Sequence, residues 1–171
     1  MFRYISRAHR RPGAHMPRTY TFSIQRHGIA DATTAFNLIR DAESWARWAG
    51  RPITFSAWQG DESRSAEATV VGRTRLVGTP RFKTAEVVTV DDRPTTHGYR
   101  IPARWPVRDY SATVHFLRTE HGGLTVTWSG TFIERVPGTG VIWRAYLRRF
   151  LGNLAERLIA HAAEAPATRS A

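Results

Sequence analysis

Cysteine is missing from this chain of 171 residues, which removes disulfides, thiolate metal sites and cysteine nucleophiles together. Lysine is nearly missing as well: of 25 basic residues, all but Lys83 are arginine. No apolar run approaches the roughly 18–20 residues that would cross a bilayer. The opening MFRYISRAHRRPGAHMPR is basic and has no continuous apolar core of the kind a secretory signal carries. A Gly-x-Ser-x-Gly elbow is lacking, because Thr127 and Trp128 precede the pair Ser129-Gly130. The segment GTGVIW at 138–143 has neither the spacing nor the lysine of a phosphate-binding loop. His9, His15, His27, His97, His115, His121 and His161 show no metal-ligand spacing, so neither a metal nor another cofactor is expected.

Acidic residues are outnumbered, 14 against 25, for a net charge of +11. The arginines are spread over every segment instead of clustering, which counts against a nucleic-acid partner and leaves weak attraction to an anionic membrane surface as the more natural consequence. With no cysteine, a cytoplasmic location is expected. Hydrophobic residues make up 42%, with six Trp, eight Phe and five Tyr, enough for a packed core in one domain. Nothing in the sequence fixes the oligomeric state.

The residues present organise around 137–163, PGTGVIWRAYLRRFLGNLAERLIAHAA. Trp143, Leu147, Phe150, Leu151, Leu154, Leu158 and Ala162 recur three or four apart, while Arg144, Arg148, Arg149 and Arg157 fall mostly off that stripe. This is the pattern of one long amphipathic helix, roughly 35 Å from residue 140 to 163, with Gly138, Thr139 and Gly140 available to cap its start. Such a face needs a large apolar surface opposite. The preceding residues offer strands at 18–29, 53–58, 66–76, 82–90, 97–101, 108–118 and 124–135, separated by turn-forming clusters such as QGDESRS and GTP. Only two short helices interrupt them, one capped by Asp31 and one begun by Asp41, with Trp45 and Trp48 on one side of the second. The expected fold is α+β: a seven-stranded curved antiparallel sheet around a long C-terminal helix, with two short helices after strand 1. The domain should occupy 18–165, between disordered ends at 1–17 and 166–171.

A three-residue loop at His121, Gly122 and Gly123, with Gly123 left-handed, would pair Phe116 with Trp128, Val114 with Gly130 and Ala112 with Phe132. Tyr110, Ala112, Val114, Phe116, Val126, Trp128 and Phe132 then share the inner face.

This order of elements resembles the START-like (SRPBCC) superfamily, whose helix-grip fold it would share, and in particular its polyketide cyclase/dehydrase and lipid-transport branch. The resemblance covers about residues 18–163. It is carried by Asp41-Ala-Glu-Ser-Trp45-Ala-Arg-Trp48, Val71-Gly72-Arg73-Thr74-Arg75, Glu86-Val-Val-x-x-Asp91, His97-x-Tyr99-x-Ile101 and the Gly-Gly turn before Val126-Thr127-Trp128. It implies a deep cavity between sheet and helix that takes a lipid, polyketide or quinone-like molecule.

Candidate lining residues are Tyr99, Tyr110, Ala112, Val114, Phe116, Trp128, Phe132, Trp143, Leu147, Phe150, Leu151 and Leu154, each of which could equally be plain core. Ala112 and Gly130 are small and would leave volume. Tyr99 and Tyr110 could hydrogen-bond a ligand carbonyl, or bond backbone and water instead. Arg75, Glu86 and Asp109 could pair inside the cavity or anchor a carboxylate, but strand charges are more often solvated on the outer face. His97, Tyr99, Tyr110 and Asp109 are the candidates for acid/base chemistry, with His97 the first to test as a general base. Trp105, between Arg104 and Arg108, could reach a membrane interface or pack on the sheet edge.

The leading expectation is a carrier of a hydrophobic small molecule. The alternatives are a polyketide cyclase or aromatase acting through Tyr, His or Asp in the same cavity, and a protein whose groove docks another chain. Met16 stands just before the first strand, so residues 1–15 are expected to be a tail from an early start codon. Mass spectrometry of the natively expressed protein should find a chain beginning at Met16, and one beginning at Met1 would refute this.

Overall fold

Alternation of apolar and polar residues becomes seven strands: β1 (Thr19–Gly28), β2 (Phe55–Trp58), β3 (Thr74–Gly78), β4 (Lys83–Asp92), β5 (Thr96–Ile101), β6 (Val107–Arg118) and β7 (Leu124–Glu134). Three α-helices accompany them among the described residues: α1 (Ala32–Arg40), α2 (Trp45–Trp48) and α3 (Gly140–Glu164), with one 3-10 turn at Ala42–Ser44. The structure is a computed structural model and describes residues 17–60, 68–102, 105–120 and 122–165. Of the expected tails 1–17 and 166–171, residues 1–16 and 166–171, with His9 and His15, lie outside the described residues, as do most of the QGDESRS turn, Arg104 and His121.

All seven strands form one antiparallel sheet in the order β1-β7-β6-β5-β4-β3-β2. Consecutive strands from β2 to β7 are neighbours, but β1 and β2 sit at opposite edges. The segment holding α1 and α2 therefore has to cross the whole sheet, and it does so along the face that α3 also covers, packing α1 and α2 against α3. Local chemistry starts each piece: Asp31 accepts the Thr34 N–H at 2.8 Å, and the Asp41 side chain accepts the Glu43 N–H at 3.0 Å.

Helix α3 buries Leu147, Leu151, Leu154, Leu158 and Ala162 at the expected spacing, and adds Ala155 and Ile159. Trp143 and Phe150, expected on the same stripe, are only partly buried, because the sheet does not close over the N-terminal half of the helix. Its start is capped differently from expectation. Thr139 occupies the cap position, but its hydroxyl turns back to the Val136 carbonyl at 2.7 Å, and Glu134 at the end of β7 instead accepts the N–H groups of Gly138 and Gly140 at 2.9 and 3.2 Å. Burial pushes the Glu134 carboxyl up, but hydrogen bonds from the Gly140, Gly138 and Arg18 N–H groups and the Tyr20 hydroxyl together hold the group below its ordinary value.

Two expectations about strands need correcting. The described part of the stretch 66–76, from residue 68 on, becomes regular only at Thr74. Before it, Gly72 makes a turn at φ 85°, and the Val70 N–H goes to the Asp91 carboxylate rather than to a strand. The β6–β7 register is also two residues away from the expected one: Phe116 pairs with Val126, Val114 with Trp128 and Ala112 with Gly130. Gly122, at φ 73°, holds the left-handed position, while Gly123 pairs back to Thr119, whose N–H it accepts at 2.8 Å. A shift of two preserves sidedness, so the same residues still face inward.

Replacing Leu158 with Ala, at a fully enclosed position far along α3, should lower unfolding free energy by about 2–5 kcal/mol. Ile142→Ala on the exposed side of the same helix should stay within about 0.5 kcal/mol, both read from chemical denaturation midpoints.

Candidate ligand pocket and its polar floor

Under the N-terminal half of α3 the sheet carries short side chains, Val77, Gly78 and Thr84, on β3 and β4, and a pocket of about 390 Å³ remains there. The helix contributes Leu147, Phe150, Leu151 and Leu154, three or four residues apart, so all four point at the same space. Opposite stand Tyr99 and Ile101 from β5 and Tyr110 from β6. Trp45 closes the inner end, and Trp105, Phe82 and Tyr146 frame the mouth. Phe82 and Tyr146 are 77% and 48% exposed, so the rim itself is apolar and wet.

A β-bulge aims one of these walls. The β6 register shifts between Arg108 and Ser111, and Asp109 takes φ 49° there. Strict alternation could not turn both Val107 and Tyr110 inward, since they are three apart. The bulge leaves Arg108 and Asp109 outside in succession and buries Val107 and Tyr110 on the same face.

Behind the inner end lies a buried charge. Arg75 is fully enclosed, its guanidinium 4.2 Å from the Trp45 ring centroid and 4.9 Å from that of Tyr99. Its Nε donates to Glu86 Oε2 at 2.8 Å, across the β3–β4 pairing that sets the two residues opposite each other. One Nη donates to the Ile39 carbonyl at 2.7 Å and lies 3.4 Å from His97 Nε2. An arginine has only donors, so Nε2 must be the accepting nitrogen and the His97 proton sits on Nδ1, which has no partner. Burial, then the positive charges of Arg75 and Arg40, hold the His97 pKa well below its ordinary value. Burial raises the Glu86 carboxyl, with Arg75 acting against the rise.

The two phenols meet: Tyr99 and Tyr110 oxygens are 3.4 Å apart, and Trp128 Nε1 donates to the Tyr99 oxygen at 3.2 Å. Burial raises both phenol pKa values, so both stay protonated through the physiological range.

Of the residues singled out in the sequence, Tyr99, Tyr110, Leu147, Phe150, Leu151 and Leu154 come together around the pocket. Ala112, Val114, Phe116, Trp128 and Phe132 lie in the close-packed core, and Trp143 packs against it from one side. The room over Gly130 is taken by Phe22, whose ring a Cβ there would meet at 2.6 Å. His97 is buried beside Phe36 and is not a wall of the pocket. Asp109 is exposed near Arg100, Arg108 and Arg135 on the outer face. Arg75 and Glu86, expected to be solvated, are buried and paired, because their parity on β3 and β4 is that of the inward Val77 and Val88. Arg75 stands behind Glu86, not on the pocket wall, and so does not offer an anchor for a carboxylate. Trp105 packs edge-on against Tyr110, with centroids 5.1 Å apart. Sequence reasoning passed over Val77, Thr84 and Trp45 as pocket residues, although strand parity marks the first two as inward.

A curved antiparallel sheet gripping a C-terminal helix over a pocket defines the START-like class, and solved structures share this fold. A START superfamily protein from Mycobacterium smegmatis aligns with a TM-score of 0.67 at 10% identity, over 83% of this chain and 96% of that one. The protein XoxI from Bacillus cereus aligns at 0.66 and 17% identity, over 84% and 96%. A protein from Nitrosospira multiformis aligns at 0.66 and 15% identity, over 85% and 97%. Residues 19–163 match the profile of the family described as polyketide cyclase / dehydrase and lipid transport, and the chain belongs to that family. No curated protein matches it. No helix among the described residues is long and apolar enough to cross a membrane.

The His97 shift carries a sign for stability. A base whose folded pKa is depressed leaves the unfolded chain binding more protons below the ordinary value of 6.5, so its contribution is full above that pH and lost as pH falls below it. Glu86, raised by burial, acts oppositely, stabilising the fold as pH drops through its raised pKa. Comparison of wild type with His97→Gln isolates the first effect. Between pH 6.5 and 5 the stability of wild type should fall relative to the variant by up to about 1.4 kcal/mol per pH unit, measured by urea denaturation. Parallel pH profiles would refute a neutral buried His97.

Proposed function

We propose that this protein binds a hydrophobic small molecule, of lipid, polyketide or quinone-like character, between the sheet and α3. The observation that carries this reading is the pocket of about 390 Å³ left beneath α3 in an otherwise close-packed interior, walled by aliphatic and aromatic side chains. That volume is in the range of small-molecule sites. At about 25 cal/mol per Å², burying a few hundred Å² of apolar ligand surface supplies several kcal/mol.

A cyclase or aromatase using the same cavity has weaker support. The phenols of Tyr99 and Tyr110 are poor bases when burial raises their pKa. His97 stands off the pocket, Asp109 is outside it, and Glu86 is tied to Arg75. These groups hold a ligand better than they move a proton.

The rim supports exchange at an anionic membrane surface. Exposed Phe82 lies between Arg81 and Lys83, and exposed Tyr146, Ile142 and Val141 share α3 with Arg144, Arg148 and Arg149. Apolar side chains set among cations are what a negatively charged lipid surface attracts.

Purified protein examined by native mass spectrometry and solvent extraction should carry an apolar molecule, and should bind an apolar fluorescent dye. Thr84→Trp, which fills the pocket from a partly buried position, should weaken dye binding by at least about tenfold without lowering the melting temperature. Failure of the protein to retain or bind any apolar molecule rejects the proposal. Sedimentation with phosphatidylglycerol vesicles but not with phosphatidylcholine, reduced in Phe82→Ser, tests the exchange surface, and equal sedimentation with both refutes it.

A further inference from the structure

The inner end of the pocket has a hydrogen-bond polarity that follows from its partners. Trp128 Nε1 can only donate, so the Tyr99 oxygen accepts from it at 3.2 Å. The Tyr99 and Tyr110 oxygens are 3.4 Å apart and either can donate to the other, so one of the two phenol protons is spent between them. The other proton is left over, and both residues that can carry it form part of the pocket wall. On the β4 side, Glu86 is also part of the wall. Arg75 engages its Oε2 at 2.8 Å, and among the described residues Oε1 makes no hydrogen bond. The enclosed end of an apolar pocket therefore presents one unspent donor and one unspent carboxylate acceptor, both on residues at least nine-tenths buried.

We propose that this site selects a neutral ligand bearing a carbonyl-type acceptor, held by the spare hydroxyl of the Tyr99–Tyr110 pair, and a hydroxyl-type donor, held by Glu86 Oε1. The inference rests on the pocket reading above and deepens it by naming the polar complement of the ligand. A plain hydrocarbon leaves both buried groups unpaired, which costs affinity in a water-poor site. A carboxylate in place of the hydroxyl brings like charges together where the dielectric is low. A hydroxy-ketone satisfies both groups and keeps its apolar body against α3.

The test is a matched probe set of one size: tetralin, 1-tetralone, the 5-, 6- and 7-hydroxy-1-tetralones, and 5,6,7,8-tetrahydro-2-naphthoate, each titrated by calorimetry. At least one hydroxytetralone is expected to bind tenfold or more tighter than tetralin, with 1-tetralone between them and the naphthoate weakest. Tyr99→Phe combined with Tyr110→Phe should abolish the advantage of 1-tetralone over tetralin, with folding of the variant read separately from its melting temperature. Glu86→Gln should reduce the gain from the hydroxyl and narrow the penalty on the naphthoate. If all probes bind wild type within threefold of one another, or the naphthoate binds as tightly as the best hydroxytetralone, the polar selection is wrong and the apolar pocket reading stands. If no probe binds, tetralin included, that reading falls and this inference with it.

Discussion

A buried arginine needs its charge balanced and most of its donors met, and Arg75, whose Nη2 is left without a hydrogen-bond partner among the described residues, imposes that condition on much of this molecule. Its guanidinium reaches the end of α1 through the Ile39 carbonyl, β4 through Glu86 and β5 through His97, and lies close to the rings of Trp45 and Tyr99. The Ile39 carbonyl also accepts from Trp45 Nε1 at 2.9 Å, so the connection that crosses the sheet is tied down at the same point. Such a pair need not add net stability over an apolar replacement, but removing one partner strands a charge and costs on the order of 3–5 kcal/mol. Its consequence is geometric: Glu86, Trp45 and Tyr99 are held where they form the closed end of the pocket.

The pocket follows from a mismatch of lengths. Helix α3 runs from Gly140 to Glu164, and its C-terminal half is sealed against β1, β7 and α1 by Leu154, Leu158 and Ile159. Its N-terminal half faces the β3 and β4 end of the sheet, where Gly78, Val77 and Thr84 are too small to meet it. Under β1, β6 and β7 the rings of Phe22, Phe36, Phe116, Trp128 and Phe132 fill the interior, whereas those of Tyr99, Tyr110 and Phe150 stand on the walls of the pocket. One end of the same layer is thus core and the other is cavity, which matches membership of a family of polyketide cyclase / dehydrase and lipid-transport proteins. The phenols facing that cavity stay protonated, and its carboxylate is engaged by Arg75 through Oε2 alone.

Much of this was legible in the chain itself. The alternation in 19–28, 107–118 and 124–134 and the three-or-four spacing from Leu147 to Ala162 specify strands and helix by burial alone, and both periods are local properties. Asp31 and Asp41 mark helix starts for the same reason. The β6–β7 register was less accessible, since Gly122 and Gly123 are both able to adopt a left-handed conformation and the sequence does not choose between them. The bulge at Asp109 is likewise silent, although the inward pair Val107 and Tyr110 can be reconciled only by one.

What the sequence determined alone is the set of elements and which face of each is apolar, because those depend on neighbours two to four residues away. Tertiary structure decided which apolar residues fill space and which border it, since that depends on what arrives opposite: Phe22 over Gly130, but no comparable ring over Val77 and Gly78. It also decided the fate of Arg75 and Glu86. A charge in a strand reads as solvated until a carbonyl, a carboxylate and two rings from distant parts of the chain are brought around it.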